Sequence, residues 1–115
     1  MNIIAKSASV TSAHDLYALT QAPDREKLTT VKGATLTLVS WVLYTDVNSK
    51  GEEQQLLALT TDDGKAYCTN SATFCKDFNN AVDMYAQFGE EFTKVQVVTG
   101  TSKNGREYIA CKVVD

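Results

Sequence analysis

The sequence predicts a mainly β protein with an OB fold, which is a five-stranded, partly open barrel of element order β-β-β-α-β-β, behind a short N-terminal helical leader. Five segments rich in β-branched and aromatic residues follow Gly33, strong turn signals join two pairs of them, and one amphipathic helix separates the third from the fourth. A generic α+β sandwich and an SH3-like barrel are the alternatives, although an SH3-like barrel lacks this helix. The 115 residues suit a single compact unit, which we divide into a leader (residues 1–32) and an OB-fold domain (residues 33–115).

The leader is predicted to contain two short helical pieces. Residues 1–9 are expected to form an edge strand or a loose arm. Thr11 or Ser12 can cap a short helix, because a hydroxyl oxygen accepts hydrogen bonds from the free N–H groups of a first helical turn, and Pro23 stops that helix. A second helical turn is expected over residues 24–28, with Pro23 near its start.

The five strands are predicted from runs of Thr, Val, Leu, Ile and Tyr that are bounded by polar turns. They cover residues 34–46, 54–61, 65–70, 92–100 and 108–114. The first strand changes from half-polar to fully apolar near Val39, so a bend or bulge is expected there, and Trp41 beyond it is expected in the core. Gly51 allows a tight turn after this strand, while Asp62-Asp63-Gly64 and Asn104-Gly105 predict hairpin turns.

The helix between the third and fourth strands is predicted from an apolar stripe. Asn70 or Ser71 can cap its start, and Gly89 can adopt the left-handed conformation that ends many helices. The stripe repeats at helical spacing and consists of Phe74, Phe78, Ala81, Val82, Tyr85 and Phe88. We expect this stripe, with all four of its aromatic rings, to pack into the core.

Composition and motifs argue against catalysis and membrane insertion. The net charge is -3 and the pI about 5.1, so the chain as a whole lacks the basic character of many nucleic-acid-binding domains. The chain has one histidine, no phosphate-binding glycine loop and no dinucleotide-binding glycine motif. The sequence therefore predicts no catalytic, metal or cofactor site, and we predict that the protein is not an enzyme. The three cysteines lack C-x-x-C spacing and no apolar run reaches the length of a membrane span, so we expect a reduced, cytoplasmic protein.

Cations and aromatic residues nevertheless fall on the segments that form the ligand face of an OB fold, which are the second and third strands and the flanking loops. The candidate binding residues are Tyr44, Lys50, Lys65, Tyr67, Lys103, Arg106 and Tyr108. In the third strand Tyr67 alternates with Ala66 and Cys68, and if these two point inward, Tyr67 shares the outer face with Lys65. Single-strand binders use this pairing of residue types, because aromatic rings stack on bases while cations neutralise phosphates.

Four short motifs carry a family resemblance. They are YTDxxxxG, DDGKxY and NSxTF within the stretch WVLYTDVNSKGEEQQLLALTTDDGKAYCTNSATFCKDF, and SKNGREYI within GTSKNGREYIACKVVD. In these motifs the sequence resembles the small single-stranded DNA-binding proteins of tailed bacteriophages, over residues 33–115 and more weakly in the leader. The resemblance implies an OB-fold protein that coats single-stranded DNA in phage replication, without sequence preference and without catalysis, and it assigns DNA contacts to the same seven candidate residues.

A second hypothesis is a protein-interaction module, such as a phage inhibitor of a host protein. The negative net charge and the acidic turns at Glu52-Glu53, Asp62-Asp63 and Glu90-Glu91 favour it, because they suit a basic protein partner. Replication proteins stay open as further partners. Self-association stays open as well, because small strand-rich domains often pair through their sheet edges.

Overall fold

The structure, a computed structural model, describes residues 1–115. Its elements are β1 (Asn2–Lys6), α1 (Ala13–Thr20), β2 (Glu26–Lys27), a 3-10 helix (Leu28–Val31), β3 (Thr35–Val47), β4 (Glu53–Thr61), β5 (Ala66–Thr69), α2 (Ala72–Ala86), β6 (Lys94–Thr101) and β7 (Glu107–Val113). The strands form one sheet in the order β2-β5-β4-β3-β6-β7, and β1 pairs with β3 outside this path. From β3 onward the order is β-β-β-α-β-β, so the mainly β, OB-like fold predicted from the sequence is confirmed.

The long strand β3 curls the sheet into a half-barrel. Residues 35–37 pair with β6, whereas residues 38–47 pair with β4. The register of the β4 pairing shifts between Leu38 and Ser40, and Val39 between them is exposed. The bend expected at Val39 is therefore confirmed, and it lets one strand serve both halves of the barrel because a bulge increases local twist and bends the strand.

The main core lies between the curled sheet and α2. Fifteen buried residues form it, including Trp41 as predicted. Phe78 of α2 stands edge-on to Trp41 and to Phe92, with ring centroids 5.0 and 5.1 Å apart, and Tyr85 continues the series against Phe92 at 5.2 Å. This edge-to-face geometry is the one that aromatic pairs prefer, so α2 is fixed to the sheet by a continuous run of rings.

The helix α2 begins where the sequence predicts and ends earlier than the apolar stripe. The Phe74 N–H donates to the Ser71 hydroxyl at 3.2 Å, which caps the start, and Gly89 adopts a left-handed φ of 68° after the end. The prediction that Phe88 packs into the core is wrong, because its side chain is 76% exposed. The helix ends at Ala86, so the helical spacing that set the stripe no longer applies at residue 88.

The leader is part of the same sheet. The predicted edge strand near the N-terminus is β1, which pairs antiparallel with residues 42–45 of β3. The helical turn predicted over residues 24–28 is wrong, because Glu26 and Lys27 instead form β2, parallel to β5, and a 3-10 helix follows. Leu28 at the start of that 3-10 helix is fully buried in the main core.

The leader also covers part of the outer sheet face. The Ser12 hydroxyl accepts a hydrogen bond from the Asp15 N–H at 3.1 Å, so Ser12 caps α1 as expected. A second cluster of buried side chains then joins the leader to β3 and β4, and its members are Val10, Leu19, Val42, Tyr44 and Ala58. This cluster lies on the face of β3 and β4 opposite to the main core, since residues along a strand alternate between the two faces.

Candidate nucleic-acid interface

Three hairpin turns share one geometry. They are Asn48–Glu52, Thr61–Lys65 and Ser102–Arg106, and each has glycine as its fourth residue with φ between 78° and 81°. In each turn the glycine N–H donates to the carbonyl of the first residue at 2.9–3.0 Å, and the first N–H donates to the carbonyl of the fifth at 2.8–3.0 Å. This pattern is a type I turn closed by a glycine bulge. All three turns hold exposed cations on a fixed backbone: Lys50, Lys65, Lys103 and Arg106.

The first and third of these turns flank the C-terminal end of β5. Asn70 directly after β5 donates from its amide to Gln54 Oε1 at 3.5 Å, beside the first turn. The next residue, Ser71, donates from its hydroxyl to the Ile109 carbonyl at 3.4 Å, two residues into β7 and close to the third turn. The structure therefore brings Lys50 to the same end of the sheet as the Ser102–Arg106 turn.

Lys65 lies at the opposite end. Its turn contacts the early part of β3, where the Asp62 N–H donates to the Thr37 carbonyl at 3.1 Å. Along β4 this is roughly 26 Å from the first turn, at about 3.3 Å for each residue. The predicted cations thus bracket the length of the β4–β5 surface instead of forming one cluster.

The Ser102–Arg106 turn is the most positive of the three. Lys50 is followed by Glu52 and Glu53 in the chain. Lys103 and Arg106 have only Glu107 beside them in sequence, and Glu107 is already paired with Lys32. Neither Lys103 nor Arg106 forms an ion pair of its own. These two cations are therefore free to attract an external anion.

Lys65, by contrast, has a charged neighbour. Hydrogen bonds from the Thr61 hydroxyl and from the Lys65 N–H hold the pKa of Asp63 below its usual value. The carboxylate of Asp63 is thus ionised at neutral pH, and it offsets part of the attraction of Lys65 for a phosphate.

Tyr108 stands on the same hairpin as an exposed, supported ring. It pairs across the sheet with Gly100, and a Cβ placed on Gly100 would lie 2.5 Å from the Cζ and Oη atoms of Tyr108. The ring therefore lies across the bare backbone of Gly100, while 41% of the side chain stays exposed. An aromatic ring that is fixed on one side and open on the other suits stacking with a flat ligand.

Tyr44 and Tyr67 are not on the open surface. The prediction that Tyr67 faces outward is wrong: it is 3% exposed and belongs to the main core, whereas Ala66 and Cys68 take the other face. Tyr44 is 4% exposed beneath the leader. Burial raises the pKa of Tyr44, and the neighbouring Arg25 acts in the opposite direction. As placed in this structure, neither ring can stack on a ligand.

The leader contributes a groove that the sequence did not reveal. It has a volume of about 230 Å³ and lies between the 3-10 helix and the outer face of β4 and β5. Its walls include Lys27, Leu56, Cys68 and Asn70. Lys27 reaches this place because β2 pairs with β5 in a register that puts Lys27 opposite Cys68. The cations Arg25 and Lys27 are visible in the sequence, but only this long-range pairing shows where Lys27 lies.

Two of the three cysteines, Cys75 and Cys111, are shielded from solvent. Burial raises the pKa of Cys75 to about 11 and, together with the nearby Asp77, that of Cys111 to about 12. Both thiols are therefore neutral at physiological pH, and a neutral thiol is a weak nucleophile. The exposed cations and the Tyr108 ring offer phosphate attraction and aromatic stacking.

Comparison with known protein families shows a match over most of the chain. The Phi29 phage SSB family model, which describes phage single-stranded DNA-binding proteins, matches residues 9–114. No curated protein and no solved structure matches the chain. None of the helices combines the length and the apolar character that crossing a membrane requires.

Proposed function

The chain belongs to the Phi29 family of phage single-stranded DNA-binding proteins, and from this premise we propose that it binds single-stranded DNA without sequence specificity and protects it during phage DNA replication in the host cytoplasm. Membership of this family implies that single-stranded DNA is the partner of this protein. The lack of sequence preference and the role in replication are our inference. Cofactors and catalysis have no part in this proposal.

The observation that carries the proposal is the Ser102–Arg106 hairpin, where two unpaired cations stand beside the supported ring of Tyr108. Stacking and phosphate attraction do not distinguish one base from another, because every base has an aromatic face and every nucleotide a phosphate. The composition of this hairpin therefore favours binding without sequence preference.

We propose that the strand runs along the β5 side of the sheet, between the end that carries Lys50, Lys103 and Arg106 and the end that carries Lys65, because the leader covers the outer face of β4 at Ala58. Lys27 and its groove lie along this path. A path of this length fits the range of about 4–16 nucleotides that a single OB fold covers. Tyr44 and Tyr67 stay outside the proposed contact set because both side chains are buried.

The proposal is tested by titrating the protein against fluorescently labelled oligo-dT of about 30 nucleotides, a length above that of one site, and recording anisotropy at low and moderate salt. We expect binding that weakens as salt rises, because displaced counterions drive the association. Duplex DNA of equal length is the control and is expected to bind far more weakly. Absence of binding to the single strand at low salt would overturn the proposal and favour the protein-interaction module.

The support of Tyr108 by Gly100 gives a separate prediction. Gly100→Ala places a methyl group where the ring now lies, so the ring must swing away. We expect weaker binding to oligo-dT, in the same direction as Tyr108→Ala, with a change in unfolding free energy of no more than about 1 kcal/mol, since the displaced atoms are the free end of a side chain. Anisotropy and urea unfolding measure the two quantities. Thr101→Ala, the next residue on the strand, is the matched control, and equal affinities of Gly100→Ala and wild type would show that the ring position is unimportant.

A further inference from the structure

A second exposed surface lies at the C-terminal end of α2. Phe88 is 76% and Met84 60% exposed there. Together with Tyr85 and Glu90 they line a groove of about 220 Å³. A neighbouring groove of about 240 Å³ shares Tyr85 and Glu90 and opens onto the side of the aromatic run, with Trp41 and Phe92 among its lining residues. We call Met84, Phe88 and this groove the α2-end surface. Large apolar side chains grouped at an exposed site mark interaction surfaces more often than isolated ones do.

The exposure of Phe88 comes from an ordered helix end. The Gly89 N–H donates to the Ala86 carbonyl and the Glu90 N–H to the Tyr85 carbonyl, both at 3.0 Å. These two bonds form a Schellman motif, which fixes the backbone on both sides of Phe88. The ring is thus held outward by a rigid terminus, and it makes no contribution to the core.

The rim of the α2-end surface is acidic. Glu90 and Glu91 line the groove, and the exposed Asp83 lies on the last helical turn. Lys6 is the one cation of the lining, and its ammonium donates to the Val10 carbonyl at 2.8 Å. Glu91 accepts a long bond of 3.4 Å from the Ala8 N–H. This excess of carboxylates repels nucleic-acid phosphates and attracts basic side chains.

The α2-end surface is also distant from the Ser102–Arg106 hairpin, the most positive part of the proposed DNA path. The start of α2 follows Ser71, which bonds to Ile109 next to the Ser102–Arg106 hairpin. The 15 residues of α2 extend about 22 Å at 1.5 Å a residue. A partner seated at the far end of the helix therefore leaves this hairpin open to DNA. The Lys65 end of the path is nearer, because the Thr93 carbonyl, next to the groove residue Phe92, accepts a hydrogen bond from the Leu38 N–H at 2.7 Å, one residue beyond Thr37.

We propose that the α2-end surface docks a segment of another protein that presents apolar side chains flanked by Lys or Arg. The apolar anchors enter the groove beside Phe88, and the basic residues pair with Glu90 and Glu91. A second copy of this chain is a poor occupant, because a two-fold contact through one surface sets the same acidic rims against each other. Single-stranded DNA is excluded by the same charge.

The probe for this proposal is a fluorescein-labelled synthetic peptide helix with Leu and Phe on one face and Lys on the other, titrated against the full chain. We expect Phe88→Ala to weaken peptide binding by about tenfold or more, as is usual for an aromatic anchor in an interface. The Glu90→Gln, Glu91→Gln double variant is expected to weaken it as well and to reduce its salt dependence. Tyr17→Ala removes an exposed ring from α1 and is the matched control, expected to bind like wild type.

Two further measurements separate this proposal from the DNA-binding one. Phe88→Ala is expected to keep wild-type affinity for oligo-dT, whereas Lys103→Ala, Arg106→Ala is expected to keep peptide affinity. The docking proposal is overturned if a peptide with Glu in place of Lys binds equally well, or if Phe88→Ala binds the Lys peptide like wild type. It is overturned in favour of self-association if the wild type sediments as a dimer that Phe88→Ala dissociates.

Discussion

Tyr108→Ala is expected to weaken oligo-dT binding by about 5- to 150-fold, the equivalent of about 1–3 kcal/mol for one stacked base. The expectation follows from the ring's position, because Gly100 supports one side of it and the other side is exposed. Lys103→Ala and Arg106→Ala act differently. Each of these substitutions removes one cation that can neutralise a phosphate, so each should reduce the slope of log K against log salt by roughly 0.7.

The triple variant Lys103→Ala, Arg106→Ala, Tyr108→Ala combines both effects and is expected to show the largest binding defect of any set in the chain. The measurement is anisotropy at several salt concentrations, so that affinity and slope are obtained together. The control is the pair Tyr17→Ala, Lys112→Ala, which removes one exposed ring from α1 and one exposed cation from the end of β7 remote from the turn. Wild-type affinity in the triple variant would mean that the single strand binds elsewhere on the protein.

The order of elements along the chain from β3 onward was predictable from local sequence signals. The predicted and observed strands agree within two residues at every end from β3 onward. The reason is that most of these boundaries lie next to tight turns, as at Gly51, Gly64 and Gly105, all of which adopt positive φ. Glycine at these positions avoids the steric cost that other residues meet there, so it marks the turns clearly in the sequence.

The direction of Tyr67 was not predictable in the same way. The alternation of Ala66, Tyr67 and Cys68 shows that two face one side and one the other, but it does not show which side is the core. That choice depends on register, and in the structure Tyr67 lies opposite Leu59, which is fully buried. A large ring then fills core volume that Ala and Cys could not fill.

The position of the leader depends on long-range pairing, which leaves no local signal. Two residues, Glu26 and Lys27, suffice to form β2 beside β5. A run this short shows no strand periodicity, and Pro23 before it suggested a helix start instead. The leader's contribution to the candidate interface, Lys27, was missed for the same reason.

The leader's role in folding gives the second prediction with a large expected effect. Leu28→Ala empties a fully buried position of the main core, and Leu19→Ala does so in the second cluster. Each is expected to lower the unfolding free energy by about 2–5 kcal/mol. Because the two sites belong to separate clusters, the two effects should be roughly additive. Their sum approaches the total stability of about 5–15 kcal/mol that a small domain has, so the double variant should be largely unfolded without denaturant.

Urea unfolding followed through the fluorescence of Trp41, the only tryptophan in the chain, measures these changes. Thr29→Ala and Tyr17→Ala replace exposed neighbours and are the matched controls, expected to stay within about 0.5 kcal/mol of wild type. The result decides how the chain is divided. Unfolding of the double variant would show that residues 1–32 and 33–115 fold as one cooperative unit. Both substitutions are in the leader, whereas the fluorescent reporter, Trp41, is in β3. An unchanged midpoint would instead support the sequence-based division into a leader and an independent OB-fold domain.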